Sequence, residues 1–167
     1  MLVCLMATTM AAQSQSRIDS VQFFLDEKPL DVTLSTDIGN LISGKIKDEY
    51  QNATFTCKLP DSSVVSEVIR LNLRGHSRRE ICKIPPMRLL FRNASSPRLS
   101  SLRTLKLVNS CRFGSGDKQL LVKEYLIYKI YNILTDKSLR VRMLNITFED
   151  SKGGKKPMIQ NAFLVEN

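Results

Sequence analysis

Hydrophobic and polar residues alternate most cleanly over Val68–Arg74, where Ile69, Leu71 and Leu73 share one face and Arg70, Asn72 and Arg74 the other. The same period of two predicts strands at Met87–Arg92 and Thr104–Val108. In the second, Leu105 and Leu107 lie on one side, and Thr104, Lys106 and Val108 on the other. Val21–Leu25 and Leu30–Leu34 read as short strands about an Asp26-Glu27-Lys28-Pro29 turn, and Ala53–Leu59 as a strand closed by Pro60-Asp61-Ser62-Ser63. A short helix through Ile38, Leu41 and Ile42 would be capped by Ser35 or Thr36. Gly75–Ile84 is a basic loop ended by Pro85-Pro86, and Asn93–Ser101 is a Ser-rich linker. One long helix is predicted over Asp117–Leu134, with Ser115 or Asp117 as its cap. Strands at Arg140–Phe148 and Met158–Glu166 follow, joined by a Ser151-Lys152-Gly153-Gly154 turn. This order predicts an α+β fold, a mainly antiparallel sheet with one main helix packed on it.

Placed at about 100° per residue, the long helix carries an arc running from Leu134 through Ile127, Leu120, Tyr131, Glu124 and Tyr128 to Leu121. Glu124 is the only charged residue in that arc, and a carboxylate among apolar side chains needs a partner. Lys106, between two inward leucines, points to the other face of its strand. A strand Lys paired with a helix Glu is an arrangement that kinases use to hold nucleotide phosphates, so Lys106–Glu124 is one candidate pair. Glu124 could equally snorkel, or bond to Tyr hydroxyls or a nearby Arg.

Charge changes the picture along the chain. The 167 residues carry 25 Lys and Arg against 16 Asp and Glu, a net of +9. Residues 17–67 are net acidic, whereas 68–113 hold 11 basic residues and only Glu80 as an acid. The middle third therefore carries any electrostatic function, and its Arg74-Gly75-His76-Ser77-Arg78-Arg79 loop could clamp an anion. A solvated loop is the plain alternative. With 43% hydrophobic residues the chain is neither disordered nor collagen-like, and its length suits one domain over 17–167.

Met1–Ala12 is apolar and ends in small residues before Gln13-Ser14-Gln15-Ser16, which reads as a signal peptide over 1–14 and a secreted or periplasmic protein. No stretch is long and apolar enough to span a bilayer. Cys57, Cys82 and Cys111 would remain after cleavage, and in an oxidising compartment two of them can pair. Cys82–Cys111 is the pairing expected, with Cys57 a buried strand residue. No CxxC, GxGxxG, GxxxxGK[ST] or GxSxG is present, and His76 is the sole histidine, so zinc, dinucleotide, P-loop and Ser-His-Asp chemistry lack support. Asp117 and Asp136 are explained as a cap and a turn. Aromatic residues at 7%, with no Trp, argue against a nucleic-acid partner.

Arg70-Leu71-Asn72-Leu73-Arg74-Gly75-His76-Ser77, followed by Lys83–Phe91 (KIPPMRLLF), resembles the RGxS … K-P-x-R/K-L-x-F stretch of CotH kinase-like proteins, the spore-coat-type atypical kinases. Leu105-Lys106-Leu107-Val108, Asp117 with its helix, and the closing Ala162-Phe163-Leu164-Val165-Glu166 resemble later parts of that layout, in the style of secreted Bacteroidetes-like members. The likeness covers about residues 68–167. It implies a protein-kinase-like N-lobe that binds ATP with Mg²⁺ and acts on a secreted or cell-surface protein. Lys106 and Glu124 would form the ion pair, with Arg74 and Arg78 near phosphates. His76 stands where the family commonly has Asn, and Arg78 where it has a small polar residue. The family's metal-binding and catalytic Asp residues lie beyond the point matched by Asn167, so the chain is expected to be an inactive lobe truncated at its C-terminal end, lacking its C-terminal partner lobe. The competing expectation is a non-catalytic secreted module that binds an acidic glycan or protein through its basic face.

Overall fold

A computed structural model describes residues 22–43, 49–59, 62–112 and 114–167. The expected signal peptide at 1–14 lies outside the described residues. Seven strands dominate: β1 (Leu30–Thr36), β2 (Gln51–Lys58), β3 (Val64–Leu73), β4 (Met87–Leu90), β5 (Thr104–Asn109), β6 (Val141–Asp150) and β7 (Met158–Glu166). Helices are α1 (Ile38–Ser43), α2 (Ser77–Ile81), α3 (Pro97–Ser100) and α4 (Ser115–Leu134).

The strands close into a barrel in the order β1-β2-β3-β4-β5-β7-β6, with β6 returning to β1. This corrects the expected α+β architecture, a mainly antiparallel sheet with one main helix packed on it resembling a kinase-like N-lobe, because the sheet closes on itself. Closure comes from a parallel β1–β6 pairing in which Val32 lies against Ile146 and Leu34 against Phe148. The six other pairings are antiparallel. Alternation gives each strand one apolar row, and seven such rows turned inward fill the barrel. Phe55, Leu71, Leu89, Leu107, Ile146 and Leu164 are all fully buried there. Phe55 and Phe91 meet edge to face at 5.0 Å between ring centroids. The interior is a packed core, not a lumen.

Three local expectations also change. Residues 22–25 form a helical turn instead of a strand. Their Phe23 and Phe24 are buried against the barrel. α2 and α3 interrupt the segments read as a basic loop and a linker. Gly114, not Ser115 or Asp117, stands at the N-cap of α4.

The long helix lies on the outside of β6 and β7. Leu121, Tyr125 and Tyr128 pack on Val108, Val141, Phe163 and Val165. The Tyr125 and Tyr128 rings sit 5.8 and 5.9 Å from that of Phe163. Only the Tyr128–Leu121 end of the predicted apolar arc faces the sheet; Leu120, Ile127, Tyr131 and Leu134 are exposed. A helix apolar nearly all round does not declare which side it buries, because several arcs of its wheel qualify equally.

Candidate functional site: a basic shelf on β3, β4 and β5

Outward side chains of three neighbouring strands form a shelf. The register aligns Asn72 with Arg88 and Arg88 with Lys106. Leu71, Leu89 and Leu105 align inward one position away. Arg88 and Lys106 are both half-buried. Directly opposed residues on paired strands have Cβ atoms about 4.5–5.5 Å apart, and like charges placed so repel each other. The alternation that fills the barrel thus places two cations opposite each other on its outer wall.

Arg74 continues the shelf where β3 ends. Its backbone N–H donates to the Pro86 carbonyl at 2.9 Å. Burial lowers the Arg74 pKa; Tyr128 and Glu124 oppose that shift, and Arg88 and Arg78 reinforce it. That set of neighbours puts Arg74 at the junction of the shelf with α4. Gly75 follows with φ +82°, a left-handed turn that glycine accommodates freely. The turn carries the chain into α2, where the Arg78 guanidinium lies 3.9 Å from the Glu124 carboxylate. Arg79 on the same helix donates to the Leu73 carbonyl. Arg70, two positions before Asn72, extends the outward row, its guanidinium 5.1 Å above the Tyr50 ring.

The loop that presents Arg78 is pinned at its far end. Cys82 and Cys111 are joined by a disulfide. Lys83 donates its N–H to the Cys111 carbonyl at 3.0 Å. The buried Asn109 amide donates to Ile84 at 2.8 Å. Cys57 is free and buried, and burial pushes its thiol up to about 11 against the pull of Arg142, so it is no nucleophile at neutral pH.

All four residues singled out for a nucleotide site, Lys106, Glu124, Arg74 and Arg78, belong to this one face, but their pairing differs. The cation within ion-pair distance of Glu124 is Arg78, not Lys106. Lys106 instead faces Arg88 and Val165 across its two neighbouring strands. Glu124 is 39% exposed, so water and Arg78 together meet its charge. Sequence reasoning did not single out Arg88 or Tyr128. Arg88 alternates with Met87 and Leu89, which marks it as outward, but its place opposite Lys106 depends on a register that alternation alone does not supply.

These groups suit oxyanions. Guanidinium and ammonium groups can hold phosphate, sulfate or carboxylate oxygens. Among the described residues no three His, Cys, Asp or Glu converge as metal ligands.

Two other surface hollows carry less. A depression of about 520 Å³ lies between residues 24–27 and the end of α4. Both of its cations are paired, Lys129 with Glu27 at 3.2 Å and Arg140 with Glu166 at 2.5 Å, which leaves Asp136 as its remaining charge. One of about 430 Å³ on the outer faces of β1, β2 and β6 mixes Asp31 and Lys58 with threonines. Of these three surfaces, the shelf holds the excess of positive charge.

No protein-family model, curated protein or solved structure matches the chain. The likeness to CotH kinase-like proteins therefore rests on the motifs quoted above. No helix among the described residues is long and apolar enough to cross a membrane.

Proposed function

We propose that the protein is a non-catalytic binding module that holds an acidic glycan or an acidic protein segment on the β3–β4–β5 shelf, outside the cytoplasm. The observation that carries this reading is the direct cross-strand opposition of Arg88 and Lys106, with Arg74 and Arg78 beside them and Glu124 next to Arg78. Juxtaposed cations raise the energy of the free surface, and an anion laid across them lowers it. The Cys82–Cys111 disulfide supports an oxidising compartment. Against the kinase-like alternative stand the closed barrel and the Arg78–Glu124 pairing, which leave Lys106 without the Glu that the alternative requires.

The test is a titration of the protein with dextran sulfate, polyglutamate and Mg-ATP at low salt, for the native chain and for Arg88→Ala/Lys106→Ala. The reading expects binding of at least one polyanion, weakened about a hundredfold in the double variant and abolished at high salt, because exposed charges are screened over ~3 Å at 1 M. Polyanion binding untouched by the double substitution sinks it. Saturable Mg-ATP binding lost on Lys106→Met would instead favour the kinase-like lobe.

A further inference from the structure

The sheet side of α4 is small and its outer side is large. Leu121 is the only buried residue of the helix among those described, while eight of the exposed large hydrophobic side chains lie on it. Leu120, Leu134 and Ile133 are 63%, 72% and 85% exposed, and Leu126, Ile127 and Ile130 continue the face between them. Leu25 and Leu139, both exposed, extend the chain's apolar surface outside the helix. At roughly 100 Å² of exposed surface per side chain, the ridge is on the order of 800 Å², above the ~300–600 Å² of the largest apolar patch on an ordinary monomer. A surface of that size calls for a cover.

Charge decides among covers. The exposed charges that accompany the ridge on the helix are lysines: Lys123 falls between Ile130 and Leu134 on the wheel, and Lys118 lies at one margin. Lys129 is paired with Glu27. On the opposite margin Glu124 lies 3.9 Å from Arg78, and Asp117 is half-buried at the N-terminal turn. In a dimer built on this face, Lys123 would be buried against apolar side chains of a second copy that also carries +9. At a bilayer the same lysine extends its stem along the apolar surface and keeps its ammonium among the headgroups. A helix with an apolar face and accompanying lysines lies in the interface of anionic membranes, drawn by buried area and by charge together.

We infer that the outer face of α4 docks this protein onto a membrane surface bearing anionic lipid headgroups, with Leu126, Ile130 and Ile133 entering the acyl boundary. The inference is independent of the basic shelf.

The experiment is co-sedimentation of the full chain with vesicles of phosphatidylcholine alone and of phosphatidylcholine mixed with phosphatidylglycerol. The native chain is expected to bind the mixed vesicles at least tenfold more tightly than the neutral ones. Ile130→Glu/Ile133→Glu changes only exposed positions, and should lose tenfold or more of the affinity for mixed vesicles while its thermal unfolding is unchanged. Lys123→Glu should weaken binding to the mixed vesicles alone. Native and variant chains share residues 1–21, so the apolar start cancels from the comparison. Equal binding by the native chain and the double variant overturns the inference, as does equal affinity for the two vesicles. A dimer in sedimentation velocity that Ile130→Glu/Ile133→Glu dissolves, without vesicle binding by the native chain, reassigns the face to self-association. Running Arg88→Ala/Lys106→Ala alongside separates the two readings: loss of polyanion binding with vesicle binding retained leaves this one standing.

Discussion

Replacing Lys106 by Glu should stabilise the protein and weaken its ligand binding at once. In the native barrel Lys106 is opposed to Arg88 on the outer wall. For charge centres taken as roughly 7 Å apart, two unit charges interact by about 0.6 kcal/mol in water and about 2.4 kcal/mol at an effective dielectric of 20. Both side chains are half-buried, so part of the larger figure is lost to solvent. A repulsion of about 0.5–1 kcal/mol remains, and Lys106→Glu turns it into an attraction of similar size. The net gain of about 1–2 kcal/mol corresponds to a rise of roughly 2–8 °C in Tm for a chain of this length. Lys106→Met, which only removes the repulsion, should give about half of that. Dextran sulfate or polyglutamate affinity should fall by about tenfold or more for Lys106→Glu, since each 1.4 kcal/mol lost is one decade. Differential scanning calorimetry and isothermal titration at low salt measure the two effects, and both should shrink as salt is added. A Lys106→Glu protein that is less stable than the native chain would refute the argued opposition of charges. One that is more stable but binds polyanions unchanged would refute the shelf as the binding surface.

Three further outcomes follow from the same structure. Arg142 is 3% exposed and donates to the Phe23 carbonyl and to Asp26, each at 2.7 Å, so Asp26→Ala should cost about 3 kcal/mol in urea denaturation by stranding a buried charge. Arg142→Met added to Asp26→Ala should recover much of that loss; a double variant as unstable as the single would show that the stranded guanidinium is not the cause. The Glu166 carboxyl is held below its ordinary pKa by hydrogen bonding to Arg140, so this pair contributes stability above the ordinary glutamate range and loses it as pH falls through the lowered folded value. Glu166→Gln should therefore flatten the acid limb of a stability–pH curve and leave its neutral-to-basic part unchanged in slope. Cys82→Ser/Cys111→Ser opens a loop of 29 residues' separation and should lower stability by about 3–4 kcal/mol on the chain-entropy account, with polyanion affinity falling too as Arg78 loses its anchored loop; equal urea midpoints for the oxidised native chain and the variant would count against this.

What was legible in the sequence was local. Ile69, Leu71 and Leu73 alternate with Arg70 and Asn72, and β3 turns them to the sides that alternation implies. The 158–166 run is a strand over the span expected. Closure was not legible, because it rests on Val32 meeting Ile146, residues separated by most of the chain, and alternation says nothing of which row lies beside which. Phe23 and Phe24 fit a strand as well as a helical turn when read alone; docking of both rings on the barrel decides for the turn. The candidate site was legible as a set of residue types and not as a set of contacts. Lys106 outward and Arg74 at a strand end follow from period two. That Glu124 meets Arg78, and Lys106 meets Arg88, follows from register and from the roll of α4 on β6 and β7, which pairs of apolar arcs leave open.

The closed barrel also dictates where function can reside. A sheet closed with about eight strands leaves an interior only wide enough for its own side chains, and this one has seven. Phe55, Phe148 and Met87, all fully buried, take up that space. Among the described residues, a ligand therefore has no room inside the barrel. On the outer wall, outward positions are free of the packing demand that fixes inward ones, so their composition reports what the surface meets. On β4 and β5 they include one cation opposed to another, Arg88 to Lys106; along α4 they are leucines and isoleucines beside lysines. Neither arrangement lowers the energy of the isolated barrel: the first adds repulsion and the second leaves apolar area in water. Each surface costs stability in the free protein, one by charge and one by exposure, and each of the two proposed partners would remove its own share of that cost on binding.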